Sequence, residues 1–231
     1  MSDARKTWKS QQVLHLKVLL AILAVLWLCT LFGYLFPSVD LTQYGILPRQ
    51  ASGLWGILVA PFIHADWAHL AANTLPFLIL GWLTMLRGMR VFVIVAVLAT
   101  LVCGLGVWAL GDWGASDVHA HIGASGVIFG LFGYLLLRAY FERSLGALLV
   151  ACGVGFFYGG LTWGFLPLEK DVSWLGHVFG FAGGVLAAWA LSPSEKQSRR
   201  ESALGGTVSR GNAPSDAPKD RVSKDIAAPA D

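Results

Sequence analysis

The chain has 231 residues, 55% hydrophobic and 13% charged, with a formal charge of +3; soluble domains carry about 25% charged residues. With a mean hydropathy of +0.61, this excludes a disordered chain, a coiled coil, a collagen and an ordinary cytosolic enzyme. What remains is a polytopic, all-α membrane protein. Cys29, Cys103 and Cys152 lie singly inside apolar runs, which suggests neither a disulfide framework nor a zinc knuckle.

Residues 1–17 read as a basic cytoplasmic arm carrying Arg5, Lys6, Lys9 and Lys17. A helix needs about 20 apolar residues to cross a bilayer, and Val18 to Phe36 is the first such stretch. No small-x-small cleavage site follows at Phe36-Pro37, so the stretch is read as a retained helix and not a signal peptide. The segment from Leu41 to Ile63 is broken by Gly45, Pro48, Gly53, Gly56 and Pro61. It predicts an interfacial loop, not a span.

Five further spans are predicted: Trp67 to Leu86, Val91 to Leu110, Ile122 to Tyr140, Leu145 to Leu166, and Val172 to Leu191. Arg87 and Arg90 lie between the second and third spans, and Arg138 and Arg143 flank the turn between the fourth and fifth. With the arm and the tail, 15 of the 17 Lys and Arg residues fall on one side, leaving Arg49 and Lys170 on the other. This asymmetry puts both termini in the cytoplasm. Residues 193–231 are rich in Ser, Pro, Gly and mixed charge and read as a disordered tail. The domain plan is therefore a six-helix bundle over residues 18–192 between two cytoplasmic ends.

Polar side chains inside a span are costly, and each is a functional candidate. Four stand out: His69 and Asn73 in span two, Ser125 in span four and His177 in span six. All three spans run from outside to inside. At 1.5 Å per residue, the four lie within about 3–9 Å of the outer edge. His69 and Asn73 are about 40° apart around their helix. Gly180 and Gly184 lie within about 60° of the His177 direction and leave that face nearly flat. Gly126, Gly130 and Gly133 smooth the fourth span likewise. Small residues let helices approach closely in lipid, which a short serine hydroxyl needs in order to reach an imidazole.

A serine beside a histidine is the minimum apparatus for acyl transfer, the imidazole taking the hydroxyl proton and later returning it to the leaving amine. Ser125 opens a helix, where free backbone N–H groups can face a developing oxyanion. No acidic residue is embedded beside it, so the pattern predicts a dyad.

Gly123-Ala124-Ser125-Gly126 resembles the Gly-x-Ser-Gly box of the rhomboid intramembrane serine proteases. Gly176-His177-Val178-Phe179-Gly180, followed by Gly184, is similar to that family's Gly-His-x-x-Gly-x-x-x-Gly box, and His69 to Asn73 resembles its His-x-x-x-Asn element. The resemblance implies a six-transmembrane-helix rhomboid-like bundle with Ser125 as nucleophile, His177 as general base, and His69 and Asn73 as oxyanion donors. It places His64 and Phe129 at the mouth of the site. Two departures stand out: Trp55 is followed by Gly56 where the family often has Trp-Arg, and Phe129 replaces a frequent Tyr. Single-span or polytopic membrane proteins are the implied substrates, cut near their outer ends at a small residue. The setting is a bacterial plasma membrane, with the lipid bilayer as partner, no cofactor, no metal and no nucleic acid.

Three rivals compete. His119-x-His121 opens a metal-site reading, but no His-Glu-x-x-His accompanies it, and the pair reads as a solvated loop. A non-catalytic relative that binds transmembrane helices is a second, disfavoured because both Ser125 and His177 are present. A small transporter is a third, disfavoured because the polar groups cluster to one side of the midplane.

Overall fold

A computed structural model describes residues 2–113, 118–168 and 172–192. Among these the protein is all-helical, with seven α-helices, and the one β-type pairing is an isolated bridge between Ile46 and His121. The helices are α1 (Ser2–Leu35), α2 (Gly53–Val59), α3 (Trp67–Met85), α4 (Met89–Leu110), α5 (Ser125–Glu142), α6 (Leu145–Tyr158) and α7 (Trp174–Ala190).

The first helix starts well before Val18. A membrane-thickness rule measures apolar length, and a helix continues past it where the next turns find partners. Here Gln12 Oε1 accepts from Trp82 Nε1 at 3.0 Å, and Trp27 Nε1 donates to Thr74 at 3.2 Å, tying α1 to α3. The broken segment before α3 folds as short 3-10 turns at Leu41–Tyr44 and Ala60–Phe62 around the single short helix α2. Among the described residues four segments, Arg5–Leu35, Trp67–Met85, Met89–Leu110 and Leu145–Phe165, are long and apolar enough to cross a bilayer. The last includes a 3-10 extension of α6, Gly159–Phe165. Leucines, phenylalanines and tryptophans such as Leu28, Leu149, Phe156 and Phe157 stay exposed on the outer faces, as expected where lipid is the solvent. The tail at 193–231 lies outside the described residues.

The starts of α3, α6 and α7 follow side-chain caps. Asp66 accepts from the His69 N–H at 2.8 Å, Ser144 from Ala147 and Ser173 from Gly176, each satisfying a donor that helix geometry leaves free. Pro76 sits inside α3, where its missing N–H leaves the Ala72 carbonyl without a helical partner.

The centre of the bundle is α5. Every residue from Gly126 to Leu135 is buried, so this helix has neighbours on all sides. Its tightest partner is α7: a Cβ at Gly180 would fall onto the Gly126 carbonyl, and one at Gly184 onto that of Gly130. Arg138 does not flank a turn, as its position in the sequence suggested. It lies inside α5, buried, with Nη2 3.1 Å from Glu142 Oε2, while Glu142 Oε1 meets Arg87 at 3.3 Å. The i,i+4 carboxylate neutralises a charge that lipid would exclude.

Candidate active site

Ser125 is the first residue of α5. The chain reaches it through Gly123, whose φ of +110° suits glycine. A Cβ there would sit 2.8 Å from His69 Cε1 and 3.0 Å from His69 Nε2, so conformation and space both demand glycine. The Gly123 N–H donates to the Ala60 carbonyl at 2.9 Å, which fixes the turn before the serine. No hydrogen bond holds Ser125 Oγ among the described residues. A serine inside a membrane helix often bonds its i−4 carbonyl. Here that carbonyl belongs to His121 and already accepts from the Ile46 N–H at 2.9 Å.

His177 lies in the first turn of α7, buried. Its Nδ1 is 2.8 Å from the Gly164 carbonyl oxygen. A carbonyl only accepts, so Nδ1 carries the proton and the neutral ring presents Nε2 as the basic nitrogen. Phe129 lies flat against the ring, with centroids 4.0 Å apart and planes within 4°. Gly164 is as constrained as Gly123, because a Cβ there would be 2.8 Å from both His177 Nδ1 and the Phe129 ring.

An open cavity of about 1310 Å³ is lined by Ser125, His177, His69, Asn73 and Phe129. Three helices, α3, α5 and α7, thus bring five of the six sequence candidates to one space. Asn73 Nδ2 is buried and has no hydrogen-bond partner among the described residues, an arrangement that costs about 1–3 kcal/mol unless a ligand supplies an acceptor.

The sixth candidate differs from expectation. His64 does not line the cavity; it is buried behind the wall, 3.4 Å from the Ala124 N–H through Nε2, with its ring centroid 5.2 Å from that of His69. Burial, with the neighbouring His69 as the second cause, pushes its imidazole down to about 4. The unfolded chain therefore takes up a proton here below pH 6.5 while the folded one does not until about pH 4. Folded stability is lost as pH falls through that window, by up to about 3 kcal/mol. Thermal unfolding in detergent at pH 7 and pH 4.5 is expected to show a smaller acid destabilisation for His64→Gln than for the wild type.

His119 is exposed, as a solvated loop requires, whereas His121 departs from that reading. His121 pairs through its backbone with Ile46 in both directions. Its Nδ1 lies 2.8 Å from Ser173 Oγ, and its Nε2 3.3 Å from Asp112 Oδ1. Burial pushes the His121 imidazole below its ordinary value, with Asp112 opposing. Sequence reading missed Ser173 and Gly164. Ser173 carried a signal, a capping residue directly before an apolar helix; Gly164 contributes a backbone atom and carried none.

A family model described as Rhomboid domain matches residues 51–194, well over half of the chain. An uncharacterized protein of Mycobacterium tuberculosis, Rv1337, is 40% identical over 185 residues, 78% of this chain and 77% of that protein. An uncharacterized Mycobacterium leprae protein, ML1171, is 39% identical over 78% of this chain and 73% of its own length. A Bacillus subtilis protein named "Putative rhomboid protease YdcA" is 29% identical over 79% of this chain and 89% of its own. With apolar helices long enough to span a bilayer and a domain match of this extent, the chain belongs to the rhomboid family of integral membrane proteins.

Proposed function

We propose that this protein is an intramembrane serine endopeptidase that cuts transmembrane segments of single-span or polytopic membrane proteins near their outer ends. The observation that carries the reading is the pair at the cavity: a serine hydroxyl that makes no hydrogen bond among the described residues, at a helix start, and a histidine whose Gly164 contact leaves Nε2 as its basic atom. In the proposed reaction Ser125 Oγ attacks the scissile carbonyl carbon as His177 Nε2 takes its proton. The Gly164 carbonyl holds the imidazole in the needed tautomer and steadies the imidazolium that forms. The oxyanion is met by Asn73 Nδ2, by His69 and by the N–H groups at the start of α5. His177 then returns the proton to the leaving amine. Water, activated by the same base, frees the acyl group from Ser125.

The proposed topology is six crossings by α1 and α3 to α7, with both termini cytoplasmic in a bacterial plasma membrane. The basic residues gathered on one side support it. A cavity placed in the outer leaflet admits the water that hydrolysis needs, and a helix unwound at a small residue exposes its peptide bond to Ser125.

A fluorophosphonate probe tests the assignment. Labelling of the purified protein in detergent is expected at Ser125, mapped by peptide mass spectrometry, and label on another residue would relocate the nucleophile. Asn73→Ala is expected to lower kcat by about 10²–10³-fold, the usual cost of one oxyanion donor. Its fluorophosphonate adduct should form more slowly as well, and an unchanged kcat would remove Asn73 from the oxyanion site.

A further inference from the structure

The dyad sits on two helices whose glycine-lined faces touch at Gly126 with Gly180 and at Gly130 with Gly184. Such flat contacts fix how closely α5 and α7 approach. They are non-directional, so they resist sliding of one helix along the other only weakly. A nucleophile and its base need a heavy-atom distance of about 2.6–3.2 Å, and a misplacement of about 1 Å can cost 10²-fold in rate. Something directional has to set the register at the cavity end.

We propose that the His121–Ser173 hydrogen bond is that device, a positioning link holding α5 and α7 in the register that sets Ser125 and His177 on one cavity. The inference rests on the dyad reading above. His121 stands four residues before Ser125, and Ser173 four before His177. The link thus stands four residues before each member of the dyad, across the Gly123 turn on one side and one helical turn of α7 on the other, at 2.8 Å.

Each end is anchored. The His121 backbone exchanges hydrogen bonds with Ile46 at 2.9 and 3.0 Å, so the imidazole projects from a fixed base. Behind the ring, Asp112 Oδ1 lies 3.3 Å from Nε2, and both side chains are largely buried. Arg49 in turn donates to the carbonyls of Gly111 at 2.6 Å and Asp112 at 3.4 Å, and Asp112 Oδ2 accepts from the His119 N–H at 2.7 Å. Asp112 makes no hydrogen bond to Nε2 among the described residues, but its nearby negative charge favours the proton on that nitrogen, which leaves Nδ1 to accept from the Ser173 hydroxyl. Ser173 Oγ accepts in its turn from the Gly176 N–H at 3.3 Å, inside the first turn of α7. The chain of contacts therefore runs from the anchored loop through His121 into the helix that carries the base. His121 and Ser173 are positioning residues and transfer no proton to substrate.

Two amide substitutions at one position separate register from bulk. In His121→Asn the amide oxygen takes the place of Nδ1 and still accepts from Ser173. In His121→Gln the amide reaches the place of Nε2 and the Ser173 contact is lost. With full-length protein in detergent and a single-span substrate, His121→Gln is expected to lower kcat by about 10- to 100-fold. KM should stay within about twofold, fluorophosphonate labelling of Ser125 should slow in parallel, and His121→Asn should keep most of kcat. Ser173→Ala and Ser173→Thr put the same question to the other partner, with loss expected for alanine and retention for threonine. That pair decides the matter if His121→Gln does not fold. The His121→Gln/Ser173→Ala double variant should be no slower than the slower single variant. Wild-type kcat in His121→Gln, equal losses in the Asn and Gln variants, or additive losses in the double variant would overturn the link. Ser125→Ala separates the two failures. If it cleaves at the wild-type rate, the dyad reading falls; if it is inactive while His121→Gln is unimpaired, only the link falls.

Discussion

Ser125→Ala is expected to lower cleavage of a single-span substrate by about a thousandfold or more, and His177→Ala to bring the rate to a similar floor. The expectation follows from how the two groups share one step. Without the hydroxyl there is no acyl intermediate, and without Nε2 the hydroxyl keeps its proton. Residues that act as a unit are strongly non-additive, so the double variant should be no slower than either single one. A residual rate above background would measure what Asn73, His69 and the helix-start N–H groups supply on their own. Thermal unfolding of Ser125→Ala should stay near wild type, because Ser125 Oγ makes no hydrogen bond among the described residues, whereas His177→Ala removes a buried ring stacked on Phe129 and should lower the midpoint. Quantified substrate and product bands over time, for the three variants beside wild type, provide the measurement. Wild-type turnover in either single variant defeats the dyad.

The second large effect concerns stability and activity together. Gly184→Ala places a methyl group against the Gly130 carbonyl and 2.8 Å from the Tyr134 nitrogen. In an open helical site, replacing glycine by alanine gains roughly 0.5–1 kcal/mol. Forcing a group into packed backbone costs about 1–3 kcal/mol. The second term is larger, and backbone atoms of a buried helix cannot swing aside as a flexible side chain does. The helices must part, so activity is expected to fall by about 10²-fold along with a lower unfolding midpoint. Gly153→Ala in α6 is the control: nothing lies within 4 Å of its added carbon, and it should be neutral or slightly stabilising. A Gly184→Ala protein as stable and active as wild type would show that α5 and α7 do not need their close approach.

Much of this architecture was readable from the chain because lipid imposes a blunt rule on composition. Apolar stretches located α3, α4 and α7 to within a few residues, and capping residues such as Asp66 and Ser173 account for where the helices begin. The candidate residues were readable for the converse reason: polar groups at one depth in apolar segments need an explanation. Features that depend on distant backbone were not. The Gly164 carbonyl that orients His177 has no side chain to announce it. The Asp112–His121–Ser173 contacts join residues that are remote in sequence, and His121 looks like a loop residue until the Ile46 pairing holds it in place. Arg138 read as the last charge before the turn, because its neutralising partner, Glu142, is recognisable only once α5 is known to continue past Tyr140. His64 looked like a residue of the mouth, yet it stands behind the Ala124 N–H, supporting the wall it was expected to line.

The flat stack of Phe129 on His177 has an effect beyond packing. The imidazole is gripped at its edge by a carbonyl and across its face by a benzene ring, which leaves it no free axis to turn about. In the proposed reaction this ring gains a full positive charge directly above the electron-rich face of Phe129. That attraction is worth roughly 0.5–2 kcal/mol, from solvated to desolvated settings, and arises just when the tetrahedral species forms. It comes from the π-system and owes nothing to a phenolic oxygen, so phenylalanine serves this purpose here as well as a tyrosine.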